Sequence, residues 1–122
     1  MARMSGRAEE QPSAEVRMSM TAVCKVVEIP PDGGLRVEMP GRPAVAVFIA
    51  DGAFYVIDDL CTHGDASLAD GMIEDMEVIC PYHMGSFDLR TGAAVKAPCS
   101  IPIKSYATEA RDGVLYALIQ PA

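Results

Sequence analysis

The chain has 122 residues, four cysteines, two histidines and a net charge of −7, a length that suits one domain burying roughly two-thirds of its unfolded surface. No apolar run approaches the roughly 18 residues that a membrane span needs, and residues 1–20 lack the basic-then-apolar order of a secretory signal, so a cytoplasmic protein is expected. The negative charge repels phosphate, which argues against nucleic acid and anionic membranes as partners and suits transient docking to a basic patch on another protein.

Taken in order, residues 1–19 carry little aromatic or β-branched content and read as a flexible leader to a folded domain at 20–122. Apolar segments 23–29 and 35–39 are separated by Asp32-Gly33-Gly34. Segments 45–50 and 53–57 flank Asp51-Gly52, a dipeptide that tolerates positive φ in a two-residue hairpin turn. The same signature returns late in the chain, where 104–110 and 114–119 flank Arg111-Asp112-Gly113. Between these hairpins, residues 59–98 have a different texture and read as an insertion. Within it, 72–73 and 77–79 pair across Glu74-Asp75, 87–89 turns at Thr91-Gly92 into 94–95, and one helical turn falls at 67–70. Regular turn signals with no long helical period predict an antiparallel all-β sandwich or barrel.

The insertion holds both histidines and half of the cysteines, as Cys61-Thr62-His63 and Cys80-Pro81-Tyr82-His83. In a reducing compartment such cysteines are read as metal ligands or free thiols and not as disulfides. Zinc accepts two cysteines and two histidines in a tetrahedron, but its modules usually draw the cysteines from one knuckle and the histidines from another element. One sulfur and one nitrogen donor per loop lets two facing loops grip a two-iron cluster, one iron by the thiolates and the other by the imidazoles. A Cys-His nucleophile would use one of each and leave the matched pair unexplained. Cys24 and Cys99 read as buried packing thiols.

Residues 61–83 resemble the Rieske iron–sulfur motif, and the likeness continues through Gly71, Phe87-Asp88, Thr91-Gly92 and Ala97-Pro98. It covers about 21–120 and implies a Rieske-like antiparallel β-sandwich with a small cluster-binding subdomain inserted at about 59–98. It further implies one 2Fe-2S cluster, with Cys61 and Cys80 on one iron and His63 and His83 on the other, exposed iron. Respiratory members carry an extra cysteine in each loop; Ala66 and Tyr82 stand at those positions here, so the bracing disulfide is absent. Their Ser and Tyr hydroxyls correspond to Gly85 and Phe87, with Ser86 adjacent. The resemblance therefore implies a potential near the bottom of the roughly −150 to +300 mV range.

Around the ligands, Gly64 and Gly85 either let backbone N–H groups approach the cluster sulfurs or simply form tight turns. Pro98 either folds a third loop over the cluster or ends a strand. Tyr82 and Met84 either form an apolar rim, at which a partner docks beside His63 and His83, or pack between loop and subdomain. The acidic series Asp65, Asp70, Glu74, Asp75 and Glu77 is either a solvated face or a steering surface.

No histidine is left for the facial triad of a mononuclear oxygenase iron, and no glycine-rich nucleotide fingerprint is present. The expected role is a one-electron carrier, not an enzyme. Free-standing Rieske domains without the disulfide are most often ferredoxin components of bacterial aromatic-ring-hydroxylating dioxygenases. The resemblance thus implies a monomer that takes electrons from an NADH-dependent flavoprotein reductase and passes them to a terminal oxygenase, both contacts transient. The alternatives are a monooxygenase ferredoxin, the Rieske small subunit of an assimilatory nitrite reductase, and a structural zinc domain.

Overall fold

A computed structural model of the chain describes residues 20–82 and 84–119; the leader read at 1–19 and the expected ligand His83 lie outside them. The strands, in chain order, are β1 (Thr21–Lys25), β2 (Gly34–Met39), β3 (Arg42–Ala50), β4 (Ala53–Asp58), β5 (Met72–Glu74), β6 (Glu77–Ile79), β7 (Ser86–Asp88), β8 (Ala94–Lys96), β9 (Ser105–Tyr106), β10 (Thr108–Arg111) and β11 (Val114–Ala117). Single 3-10 turns occupy Val26–Glu28 and Leu68–Asp70, the second within the helical turn expected at 67–70.

The strands form three antiparallel sheets, ordered β1-β11-β10, β2-β3-β4-β9 and β5-β6-β7-β8. The middle one of these is apolar on both faces. Ala46, Phe48 and Ile57 face a core shared with the inserted β5–β8 subdomain. Their neighbours Val45, Val47 and Val56 face a second core completed by Leu115 and Ala117 of the terminal sheet and by Ile119 beyond it. Successive strand residues point to opposite faces, so a strand buried on both sides must be continuously apolar. The unbroken run Val45-Ala46-Val47-Phe48 is the consequence, with all four side chains fully buried.

Both expected hairpin turns form. Asp51 and Gly52 have φ of 50° and 76°, and Asp112 and Gly113 have φ of 53° and 80°, the positive values a two-residue hairpin of this twist requires. Three expectations need correction. The segment 23–29 is a strand only as far as Lys25, because Lys25 N–H donates to Glu28 Oε1 at 2.9 Å and winds the next residues into a turn that leaves Val27 exposed. The segment 104–110 is two strands, since β9 pairs with β4 while β10 pairs with β11, and the chain changes sheets at Ala107. The turn of the β5–β6 hairpin is Asp75-Met76 and not Glu74-Asp75, with Glu74 paired to Glu77 and both turn residues at positive φ.

Candidate metal centre

The two motif loops close by the same device. Cys61 N–H donates to Ala66 O at 3.0 Å, and Cys80 N–H donates to Gly85 O at 2.7 Å, so each cysteine bonds the carbonyl five residues on. Each closure makes a tight loop and leaves its cysteine rooted in the core. Cys61 and Cys80 are accordingly buried, whereas His63 is exposed at the outer end of its loop.

The first loop is held by a buried carboxylate. Asp59, 4% exposed, accepts from Ser67 Oγ at 2.8 Å, from Ala69 N–H at 2.9 Å and from Arg36 Nε at 3.1 Å. Its backbone bonds both ways, N–H to Ala44 O and O from Leu68 N–H. One residue thus joins β2, β3 and the end of the first loop, and every polar atom it buries is satisfied, as burial demands.

The second loop continues the β6–β7 hairpin and brings its thiol to the first. The Cys61 thiol and the Tyr82 backbone N–H both lie close enough to the Cys80 sulfur to shift its titration, in opposite directions. Burial, reinforced by Cys61, pushes the Cys80 thiol up to about 11 against the opposing effect of that N–H. All four cysteines are free of disulfides. Among the described residues no three His, Cys, Asp or Glu side chains are placed to hold a single metal ion. What does converge is a pair of buried thiols with a backbone N–H near one sulfur, an arrangement suited to thiolate ligands of an iron–sulfur cluster.

The surrounding residues divide into several cases. Gly85 is buried and crowded: a Cβ there would lie 2.6 Å from Cys99 Sγ and 2.9 Å from Cys99 N, so only glycine fits. Gly64 has room for a Cβ, and its N–H donates to Cys61 O at 3.3 Å within the loop. Ser86 is fully buried and its hydroxyl donates to Glu77 Oε1 at 2.7 Å, so its proton is not offered to the Cys61 and Cys80 sulfurs. That bond holds the Glu77 carboxyl below the usual carboxylate range, against partial burial and with help from Lys96. Tyr82 and Met84 are 50% and 60% exposed, which favours the rim over the packing role. Leu60 and Ile101, exposed to a similar degree, extend the apolar surface.

Pro98 lies in a turn beyond β8 and is exposed. The loop it begins crosses to the first ligand loop, where Thr62 Oγ1 donates to Ile101 O at 2.7 Å. It also delivers Cys99 against Cys61 and Cys80. Burial, followed by its proximity to Cys61, pushes the Cys99 thiol up to about 12. Sequence reasoning does find Cys99 to be buried, but not where; it misses Asp59 altogether, because nothing in the Asp58-Asp59 doublet distinguishes the inward carboxylate.

The chain belongs to the Rieske 2Fe-2S domain family, which matches residues 19–107, and its cofactor is one Rieske-type 2Fe-2S cluster. Among its relatives is the ferredoxin subunit of 3-phenylpropionate/cinnamic acid dioxygenase from Photorhabdus laumondii, 43% identical over 81% of this chain and 93% of that protein. A ferredoxin from Sphingomonas yanoikuyae B1 superposes with a TM-score of 0.78 at 41% identity, covering 84% of this chain and 99% of its own. The ferredoxin-type chain matched in a complex of reduced oxygenase and oxidized ferredoxin in carbazole 1,9a-dioxygenase gives a TM-score of 0.74 at 33% identity, covering 80% and 91%.

Proposed function

We propose that this protein is a soluble one-electron carrier of an aromatic-ring-hydroxylating dioxygenase system, accepting electrons from an NADH-dependent flavoprotein reductase and delivering them to the terminal oxygenase. In this reading Cys61 and Cys80 hold one iron and His63 and His83 the other. The cluster, when bound, takes up and releases one electron. The remaining residues hold and shield it: Asp59 anchors the first loop, Gly85 leaves room for the third, and the Tyr82 N–H stabilises charge on the Cys80 sulfur. The observation that carries the reading is the pair of identically closed loops, which bury two thiols side by side and leave His63 at the surface.

An exposed end is where a protein partner can approach closely enough for electron transfer. Exposed Tyr82 and Met84, with Leu60 and Ile101, supply apolar surface for a small, transient contact. The carrier is a monomer and works in the cytoplasm; no helix among the described residues is long and apolar enough to cross a membrane. The likeness to ferredoxin components favours a mobile carrier over a fixed small subunit of a nitrite reductase.

Reconstitution with reductase and oxygenase tests the proposal. The wild-type protein is expected to be brown, to give a rhombic paramagnetic signal on reduction and to support turnover. His83→Ala is expected to lose the cluster and with it electron flow. Turnover with cluster-free protein would sink the carrier reading, a colourless zinc protein would favour the structural alternative, and stoichiometric co-purification with a large reductase would favour the fixed subunit.

A further inference from the structure

Beside the first ligand loop the surface opens into a groove of about 530 Å³. Four carboxylates line it against the guanidinium of Arg36, which already pairs with two of them, Glu38 and, at 3.1 Å, Asp59. The other two, Asp65 and Asp70, are exposed, and among the described residues neither side chain has a hydrogen-bond or ion-pair partner. The groove therefore carries an excess of negative charge that no neighbouring cation offsets. Pro43 and Leu60 give it apolar lining as well.

That combination selects among occupants. The carboxylates are spread along the groove and do not converge: among the described residues no three acidic, His or Cys side chains are placed to hold a metal ion. Small-molecule sites are lined mostly by apolar side chains with few polar groups, whereas this lining is half charged. A lysine or arginine side chain suits it, because the long apolar stem lies along Leu60 and Pro43 while the charged head meets Asp65 and Asp70. The place also suits a protein contact. Asp65 lies in the loop closed by Cys61 N–H and Ala66 O, two residues beyond His63. Leu60 lines the groove and is one of the apolar side chains exposed near the ligand loops.

We propose that this groove is the docking socket for a basic side chain of the terminal oxygenase. The inference rests on the carrier reading above and adds to it where on the surface the oxygenase is gripped, and by what. A carrier meets its electron acceptor in the reduced state, one charge more negative than when it meets its reductase. A cation seated beside the ligand loop is thus attracted more strongly in the encounter with the oxygenase and is released more readily after delivery. The contact is ionic and reversible, with no bond made or broken.

The test is equilibrium binding of the reduced, full-length holoprotein to the oxygenase, with cluster loading matched by visible absorbance. Asp65→Asn combined with Asp70→Asn is expected to raise Kd about fivefold at low salt, the size of two exposed ion pairs. That difference is expected to shrink as salt rises from about 0.01 to about 0.5 M. Asp65→Glu with Asp70→Glu keeps both charges and is expected to bind within about twofold of wild type. Asp51→Asn with Asp112→Asn removes the same charge from two hairpin turns outside the groove, where asparagine tolerates positive φ, and serves as the control. An unchanged Kd in the Asp65 and Asp70 variant, or an equal rise in the control, overturns the proposal. An equal rise in Kd for the reductase overturns the choice of occupant. If the paired variant does not load its cluster, Asp70→Asn alone, outside the closed loop, decides by the same readout. A wild-type holoprotein that does not bind the oxygenase at all would instead overturn the carrier reading.

Discussion

At the scale of single residues, contacts inside the second ligand loop decide what substitution can be tolerated. Gly85→Ala would place a methyl group 2.6 Å from Cys99 Sγ and 3.0 Å from Lys96 O, and backbone on two sides leaves it nowhere to go. The expected outcome is loss of most cluster loading and a lower Tm, measured as visible absorbance per protein and by thermal unfolding. Ser86→Ala separates structure from redox tuning. Its hydroxyl serves Glu77, so the midpoint potential is expected to stay unchanged while the acid limb of stability changes. Glu77 has a lowered pKa, chiefly through Ser86. Its contribution is therefore present above the ordinary carboxylate range, near pH 4.3, and is lost as pH falls through the lower folded value. Unfolding followed against pH in both proteins should show that limb weakened in Ser86→Ala.

At the scale of elements, Asp59 is the joint between the central sheet and the first ligand loop. Its side chain takes bonds from Arg36 on β2, from Ser67 and from Ala69, while its main chain bonds Ala44 on β3. Removing the carboxylate strands a half-buried hydroxyl and a buried N–H and frees the loop that presents Cys61 and His63. Asp59→Ala is expected to cost about 3 kcal/mol in urea unfolding, within the range for breaking a buried charged network, and to weaken cluster retention. Such a change should leave the other core less affected, because the β1-β11-β10 sheet packs on the opposite face of the central sheet.

At the scale of the whole molecule, the net charge of −7 and the apolar rim act at different stages of an encounter. Charge draws the carrier toward a basic partner over roughly a Debye length, about 10 Å at 0.1 M salt, whereas the rim forms the close contact. Electron transfer to the oxygenase is expected to slow as ionic strength rises from 0.01 to about 0.5 M, mainly through the second-order rate constant. A stopped-flow rate constant that does not vary with salt would remove electrostatic steering and leave the acidic series as a solvated face.

The chain's own residue order determined a good deal. The positive-φ hairpins at Asp51-Gly52 and Asp112-Gly113 and the apolar strand at 45–50 were legible because each is a local pattern with a local physical cause. Other features depend on residues far apart in the chain and were decided only by tertiary packing. Ala107 switches sheets because β4 and β11 compete for adjacent strands, and Asp59 turns inward because β2 and β3 supply its partners. Cys99 looks like any buried thiol until the third loop is folded back and tied to Thr62. Side-chain type and spacing are fixed along the chain, whereas the surroundings of each side chain are assembled from segments that meet only in the folded protein.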